Sequence, residues 1–232
     1  MMPDQHEIIA ELEGFKVPDS PFAQRTGASR FQDGKYERKE LEIGMALLKP
    51  QDRILEMGAG LGFVGGYLAF KTPGVELWSF EANPNLVPHV ERLYDLNGLG
   101  ERARVSNNVV LTGDDQPEHV RFHIYNCYLG SSLFDRPDKP RPAVDVPTMD
   151  WAHITESFQP TFLMMDIEGG ELEFLEGATL EGIETVVMEF HPDRYGIDGM
   201  KRCKRLLRAA GFEPDAERSS RTVWGCTRKT AA

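Results

Sequence analysis

Four stretches of the chain bring together residue types that could do chemistry. In "ILEMGAGLGFVGG" (54–66) an apolar run meets a glycine turn and then a helical pattern. Gly60, Gly62 and Gly65 have dinucleotide-fingerprint spacing, which sets a helix N-terminus against a pyrophosphate. Glu56, just before those glycines, offers a phosphate only repulsion. In "SFEANP" (79–84) Glu81 closes the next apolar run, where a carboxylate can accept both hydroxyls of a ribose. In "LMMDIEGGELEF" (163–174) Asp166 and Glu168 emerge from a strongly apolar run, and "EFHPDRY" (189–195) adds Glu189 and His191.

Acids at the ends of successive strands make an acidic crevice, which suits a cation better than a pyrophosphate. S-adenosylmethionine is such a ligand, with a sulfonium, an ammonium and no phosphate. Gly58, Gly60 and Gly62 would let the backbone approach its methionine and ribose parts without Cβ clashes. Glu56 would hold the ammonium region, directly or through water, and Glu81 the ribose. Asn83 is a cap or turn residue as well as a cofactor-side candidate. Asn108 either reads the adenine edge or is an ordinary turn amide. For removal of an acceptor proton the candidates are Asp166, Glu168 and His191, the last titrating nearest neutrality. His191 also reads as a loop histidine beside Pro192, and Glu168 as a carboxylate fixing its own loop. Oxygen and imidazole donors are present, but nothing in their spacing demands a metal, and none is expected.

These residues need a scaffold. Apolar runs at 53–57, 75–81, 103–110, 161–167 and 185–190 alternate with helical patterns, the mark of a parallel sheet covered by helices on both faces. Residues 212–218 and 222–228 should close that sheet as an antiparallel pair. A helix is expected over about 37–48. Residues 1–36 read as an irregular N-terminal segment with one short amphipathic helix through Ile8, Ile9 and Leu12, a possible lid or substrate-side element. The remainder, 37–232, forms one domain. An insertion at about 119–149 breaks the alternation with a hairpin and a proline-containing loop, a candidate lid that includes Ser131 and Ser132.

The 232 residues suffice for one sizeable core, and a net charge of −11 argues against a nucleic-acid or anionic-membrane binder. The basic run Lys201–Arg205 reads as a solvated helix face. Three cysteines without metal-type spacing suggest reduced thiols in a cytoplasmic protein. There is no apolar stretch of membrane-spanning length.

Seven pieces in order, "LEMGAGLGF", "SFEANP", the Asn108 region, "GSSL" (130–133), "VPTMDW", "LMMDIEGGELEFLEGA" and "VVMEFHP", resemble the FkbM-type class I S-adenosylmethionine-dependent methyltransferases. The resemblance spans roughly residues 50 to 228. It implies a seven-stranded Rossmann-like three-layer sandwich and, usually, O-methylation of a hydroxyl on a small molecule, sugar or lipid-linked glycan. Many members have Asp at the position of Glu56 and Asn at that of Gly60, and residues 1–36 match nothing in the pattern. Two other readings stay open: an NAD(P)-dependent oxidoreductase using Gly60, Gly62, Gly65 and Glu81, and a non-catalytic cofactor-binding domain.

Overall fold

The computed structural model describes residues 8–125 and 141–229. Ser131 and Ser132 lie outside them, as do residues 126–140 of the candidate lid.

The chain opens with a hairpin, β1 (Ile8–Leu12) and β2 (Phe15–Pro18), then short helices α1 (Pro21–Thr26) and α2 (Ala28–Gln32) and a longer α3 (Arg38–Leu47). The regular alternation follows: β3 (Arg53–Met57), α4 (Phe63–Lys71), β4 (Glu76–Phe80), α5 (Val87–Leu96) and β5 (Ala103–Ser106). A small three-stranded sheet comes next, from β6 (Val109–Leu111), β7 (His119–His123) and β8 (Ala143–Asp150). After it run α6 (Trp151–Ser157), β9 (Phe162–Met165), α7 (Glu171–Gly177), β10 (Thr185–Glu189), α8 (Pro192–Ala209), β11 (Phe212–Pro214) and β12 (Val223–Arg228).

The main sheet has seven strands in the order β11-β12-β10-β9-β3-β4-β5. Only β12 runs against the others, since it pairs antiparallel with both β10 and β11. Strand order reverses at β3, with β4 on one side and β9 on the other, so the crevice for a ligand opens beyond the carboxyl ends of these three strands.

Side-chain alternation sorts the strands onto two cores. Ile54, Leu77 and Val187 pack with α4, α5 and the N-terminal hairpin, whereas Leu55, Trp78, Val186 and Met188 pack with α6, α7 and α8.

Two sequence expectations need correction. Residues 8–12 are a strand, not a helix. Glu13 and Gly14 both have positive φ (48° and 91°), the conformation that closes a two-residue hairpin loop. Phe15, completely buried beneath α4, anchors that hairpin with about 2–3 kcal/mol of burial. Residues 103–110 are not one strand but two, β5 and β6, belonging to different sheets. Asn107 makes the break, turning its amide back onto the carbonyls of Glu81 and Ala82 at 2.8 and 3.1 Å.

Candidate active site

A cavity of ≈ 310 Å³ lies beyond the ends of β3, β4 and β9. Met57, Phe80, Leu86, Val109 and Phe122 give it apolar walls; Gly58, Gly60, Glu81, Asn108, Asp166 and Glu168 bring its polar groups. Every charged residue lining it, among those described, is acidic. Two lining residues, Glu37 and Glu168, hold positive φ without being glycine (45° and 55°). Such conformations cost on the order of 1–3 kcal/mol and gather at functional sites.

The glycine turn is built from the inside. Gly58 sits against the next strand so closely that a Cβ would fall 1.8 Å from the Asp166 carbonyl oxygen. Only glycine fits there. Gly60 differs, because a Cβ on it would meet nothing nearer than the Tyr36 hydroxyl at 3.8 Å. Its open side is the cavity. Gly62 does not line the cavity; it caps α4 in a left-handed conformation against Val90.

Glu56, expected near the ammonium region directly or through water, does not line the cavity either. It is the penultimate residue of β3, 4% exposed, and its carboxylate accepts the Gly65 N–H at 2.8 Å and the Ser79 hydroxyl at 2.5 Å. Ser79 in turn shares a hydrogen bond with Tyr94. Burial pushes Glu56 up to about 7 against the pull of these donors. A Cβ on Gly65 would lie 2.6 Å from a Glu56 carboxylate oxygen. The third glycine of the fingerprint therefore makes room for a carboxylate, not for a phosphate.

Glu81 is placed one step beyond β4 and lines the cavity. Its two oxygens accept the N–H groups of Gly60 and Asn83, both at 2.7 Å, while burial raises it to about 7. Asn83 is 1% exposed and accepts from the Asn85 N–H at 3.1 Å. It is placed as a turn residue, as the sequence allows, and does not line the cavity. Asn108 lines the cavity, with its amide at 3.3 and 3.4 Å from the carbonyls of Thr148 and Pro147 in β8.

The other end of the cavity holds a carboxylate cage. Glu171, fully buried at the start of α7, accepts from or donates to Nδ1 of His191 at 2.9 Å, according to proton placement. The opposite ring nitrogen, Nε2, lies 3.5 Å from Asp166 Oδ1 and 3.6 Å from Glu168 Oε2. Burial opposes charge on this ring, but Glu171, Asp166 and Glu168 together lift it to about 9. Near neutral pH this favours the protonated ring, which donates rather than accepts. Asp166 is raised well above the usual carboxylate range, first by burial and then by the charge of Glu189. Among the described residues its buried Oδ1 has no hydrogen-bond partner. Glu189 is itself pushed up to about 7 by burial and by Glu40. Asp166, Glu189 and His191 each bring a donor atom within 4.8 Å of the others, a set that could take a divalent cation once the ring lost its proton.

Tyr36, Glu37 and Glu171 were not among the sequence candidates, and Glu189 was read only as a strand-end acid of the crevice. Only the 20-residue separation of Glu171 from His191, closed by the fold, reveals the pair.

The fold and this acidic, apolar-walled crevice define a nucleoside-binding α/β enzyme for a cationic cofactor. The family model described as the methyltransferase FkbM domain matches residues 57–214, and the chain belongs to that family. It is an S-adenosylmethionine-dependent methyltransferase. No curated protein matches it in sequence. Among solved structures, precorrin-6y C5,15-methyltransferase from Geobacter metallireducens is 11% identical with a TM-score of 0.49, covering 84% of this chain and 87% of that one. A ribosomal protein L11 methylase from Lactobacillus delbrueckii subsp. bulgaricus is 12% identical with a TM-score of 0.49, over 84% and 79%. A TehB-like methyltransferase from Corynebacterium glutamicum is 15% identical with a TM-score of 0.43, over 91% and 100%.

The residues present fit the cofactor. Gly60 offers open backbone, the walls suit a nucleoside, and the uniformly acidic lining opposes a pyrophosphate and favours a sulfonium. Among the described residues no helix is long and apolar enough to cross a membrane.

Proposed function

We propose that the enzyme methylates a hydroxyl of a small molecule, sugar or glycan bound at the Asp166–Glu168 end of the cavity. The observation that carries this reading is Asp166 at the cavity wall, whose buried Oδ1 accepts no hydrogen bond among the described residues and has the His191 ring 3.5 Å away. A hydroxyl must lose its proton as it attacks, and the ionised form of Asp166, which the His191 charge favours against burial, is placed to receive it.

S-adenosylmethionine supplies an already activated methyl group, which leaves alignment, water exclusion and proton removal to the protein. Glu81 is assigned to the ribose hydroxyls and Asn108 to the adenine side. Asp166 accepts the proton of the acceptor hydroxyl. His191, fixed by Glu171, is a stationary positive charge that holds Asp166 and Glu168 in place. Arg194, 3.8 Å from Glu168, adds to that role. The acidic lining and the net charge of −11 speak against a nucleic-acid acceptor. Two buried free thiols, Cys203 and Cys226, accord with a reducing compartment such as the cytoplasm.

Asp166→Asn tests the assignment in labelled methyl transfer to a panel of hydroxylated acceptors. Turnover should fall about 10²–10⁴-fold while cofactor affinity stays within about threefold. Normal turnover would remove Asp166 from the chemistry.

A further inference from the structure

The family match begins at residue 57, yet two residues well before it, Tyr36 and Glu37, line the cavity. Tyr36 is buried, and its hydroxyl stands over the open side of Gly60. It hydrogen-bonds the Glu37 carboxylate. The chain turns left-handed at Glu37 as it enters α3, and Glu37 lines the same cavity as Gly58, Gly60 and Asp166. Glu37 therefore belongs to the space between the glycine turn and the Asp166 loop.

That space needs a carboxylate. The methionine end of S-adenosylmethionine carries an ammonium, and Glu56 is consumed in holding Gly65 and Ser79. Glu81 is tied to the Gly60 and Asn83 N–H groups on the ribose side.

We propose that Glu37, positioned by Tyr36, receives the ammonium of S-adenosylmethionine, so that the N-terminal segment outside the family match completes the cofactor site. The inference rests on the cofactor of the enzyme and not on the acceptor proposed above. Its electrostatics agree. Burial raises Glu37 to about 8 against the pull of Tyr36, with Glu40, Glu56 and Glu189 adding repulsion. A bound ammonium opposes those effects and lowers the proton affinity, so binding near pH 7 should release a proton from this carboxyl.

The test is calorimetric titration with S-adenosylhomocysteine and with 5′-methylthioadenosine, which keeps the nucleoside and thioether but lacks the amino-acid part. Glu37→Gln should weaken S-adenosylhomocysteine by about tenfold or more and leave methylthioadenosine within about twofold. Titration in buffers of different ionisation enthalpy should show proton release on S-adenosylhomocysteine binding to the wild type, reduced in Glu37→Gln. Tyr36→Phe should show a smaller loss with the same selectivity.

Equal losses for both ligands would make Glu37 a support of the turn and overturn the proposal. Unchanged S-adenosylhomocysteine affinity would overturn it too. A wild type that binds neither compound would bring down the reading of the cavity along with this assignment. Wild-type binding of both with an unaltered Glu37→Gln overturns the assignment alone.

Discussion

Two glutamates end neighbouring parallel strands, and they do opposite things. Glu56 lies inside the β3 ladder, opposite Ser79 of β4, and its carboxylate is spent on the N-terminus of α4. Glu81 lies one residue past the β4 ladder and opens onto the cavity. Both are buried and both are pushed up to about 7. Burial and charge therefore do not separate a residue that holds a fold together from one that faces the cavity. Depth along the strand does. A carboxylate below the last ladder pair finds helix N–H groups; one above it finds the crevice.

Breaking the first glutamate's environment should cost the most. Gly65→Ala pushes a methyl group into the Glu56 carboxylate and displaces it from its donors, at about 3 kcal/mol of stability in urea unfolding. Cofactor affinity in the folded fraction should change far less.

Glu56→Gln sharpens the comparison through pH. A carboxyl raised from its ordinary 4.5 to about 7 favours folding while protonated, and that advantage fades as pH rises from about 4.5 through about 7. The amide, always neutral, keeps an acceptor for Gly65 and a donor for Ser79. Relative to wild type, Glu56→Gln should gain up to about 3 kcal/mol between pH 4.5 and 8, read from unfolding midpoints across that range. A parallel pair of curves would show that Glu56 is not the titrating group.

On the cavity side the effects are smaller in stability and larger in binding. Gly60→Ala should lose only about 1 kcal/mol of stability, from its φ of 54°, but about tenfold in S-adenosylhomocysteine affinity. The smallest effect is expected at Asn83→Ala. Losing the turn bond to Asn85 should cost about 1 kcal/mol by thermal unfolding, with affinity within about twofold.

The scaffold was largely legible because its strands are apolar runs cut off by turn residues. The run at 53–57 matches β3 residue for residue, and 185–190 overruns β10 by one. The antiparallel closure by β12 also follows from the sequence. The N-terminal hairpin was not legible from periodicity, since Ile8, Ile9 and Leu12 also fit one face of a helix. Glu13-Gly14 between two apolar stretches was the available signal. In the site, Asp166 and Glu168 stood out as acids leaving an apolar strand, and both line the cavity. Glu56 was harder to place, because its position one residue below the strand top, and hence its partner in Gly65, depends on where the ladder ends. Glu37 carried no pattern at all, for its place in the cavity is set by how the N-terminal segment packs over the glycine turn.

The most direct test of the contrast is one titration of S-adenosylhomocysteine into folded Glu56→Gln and Glu81→Gln at about pH 8, beside wild type. The expected result is a loss of about tenfold or more for Glu81→Gln and less than about threefold for Glu56→Gln. A loss at Glu56→Gln equal to or greater than that at Glu81→Gln, with the fold intact, would contradict the account.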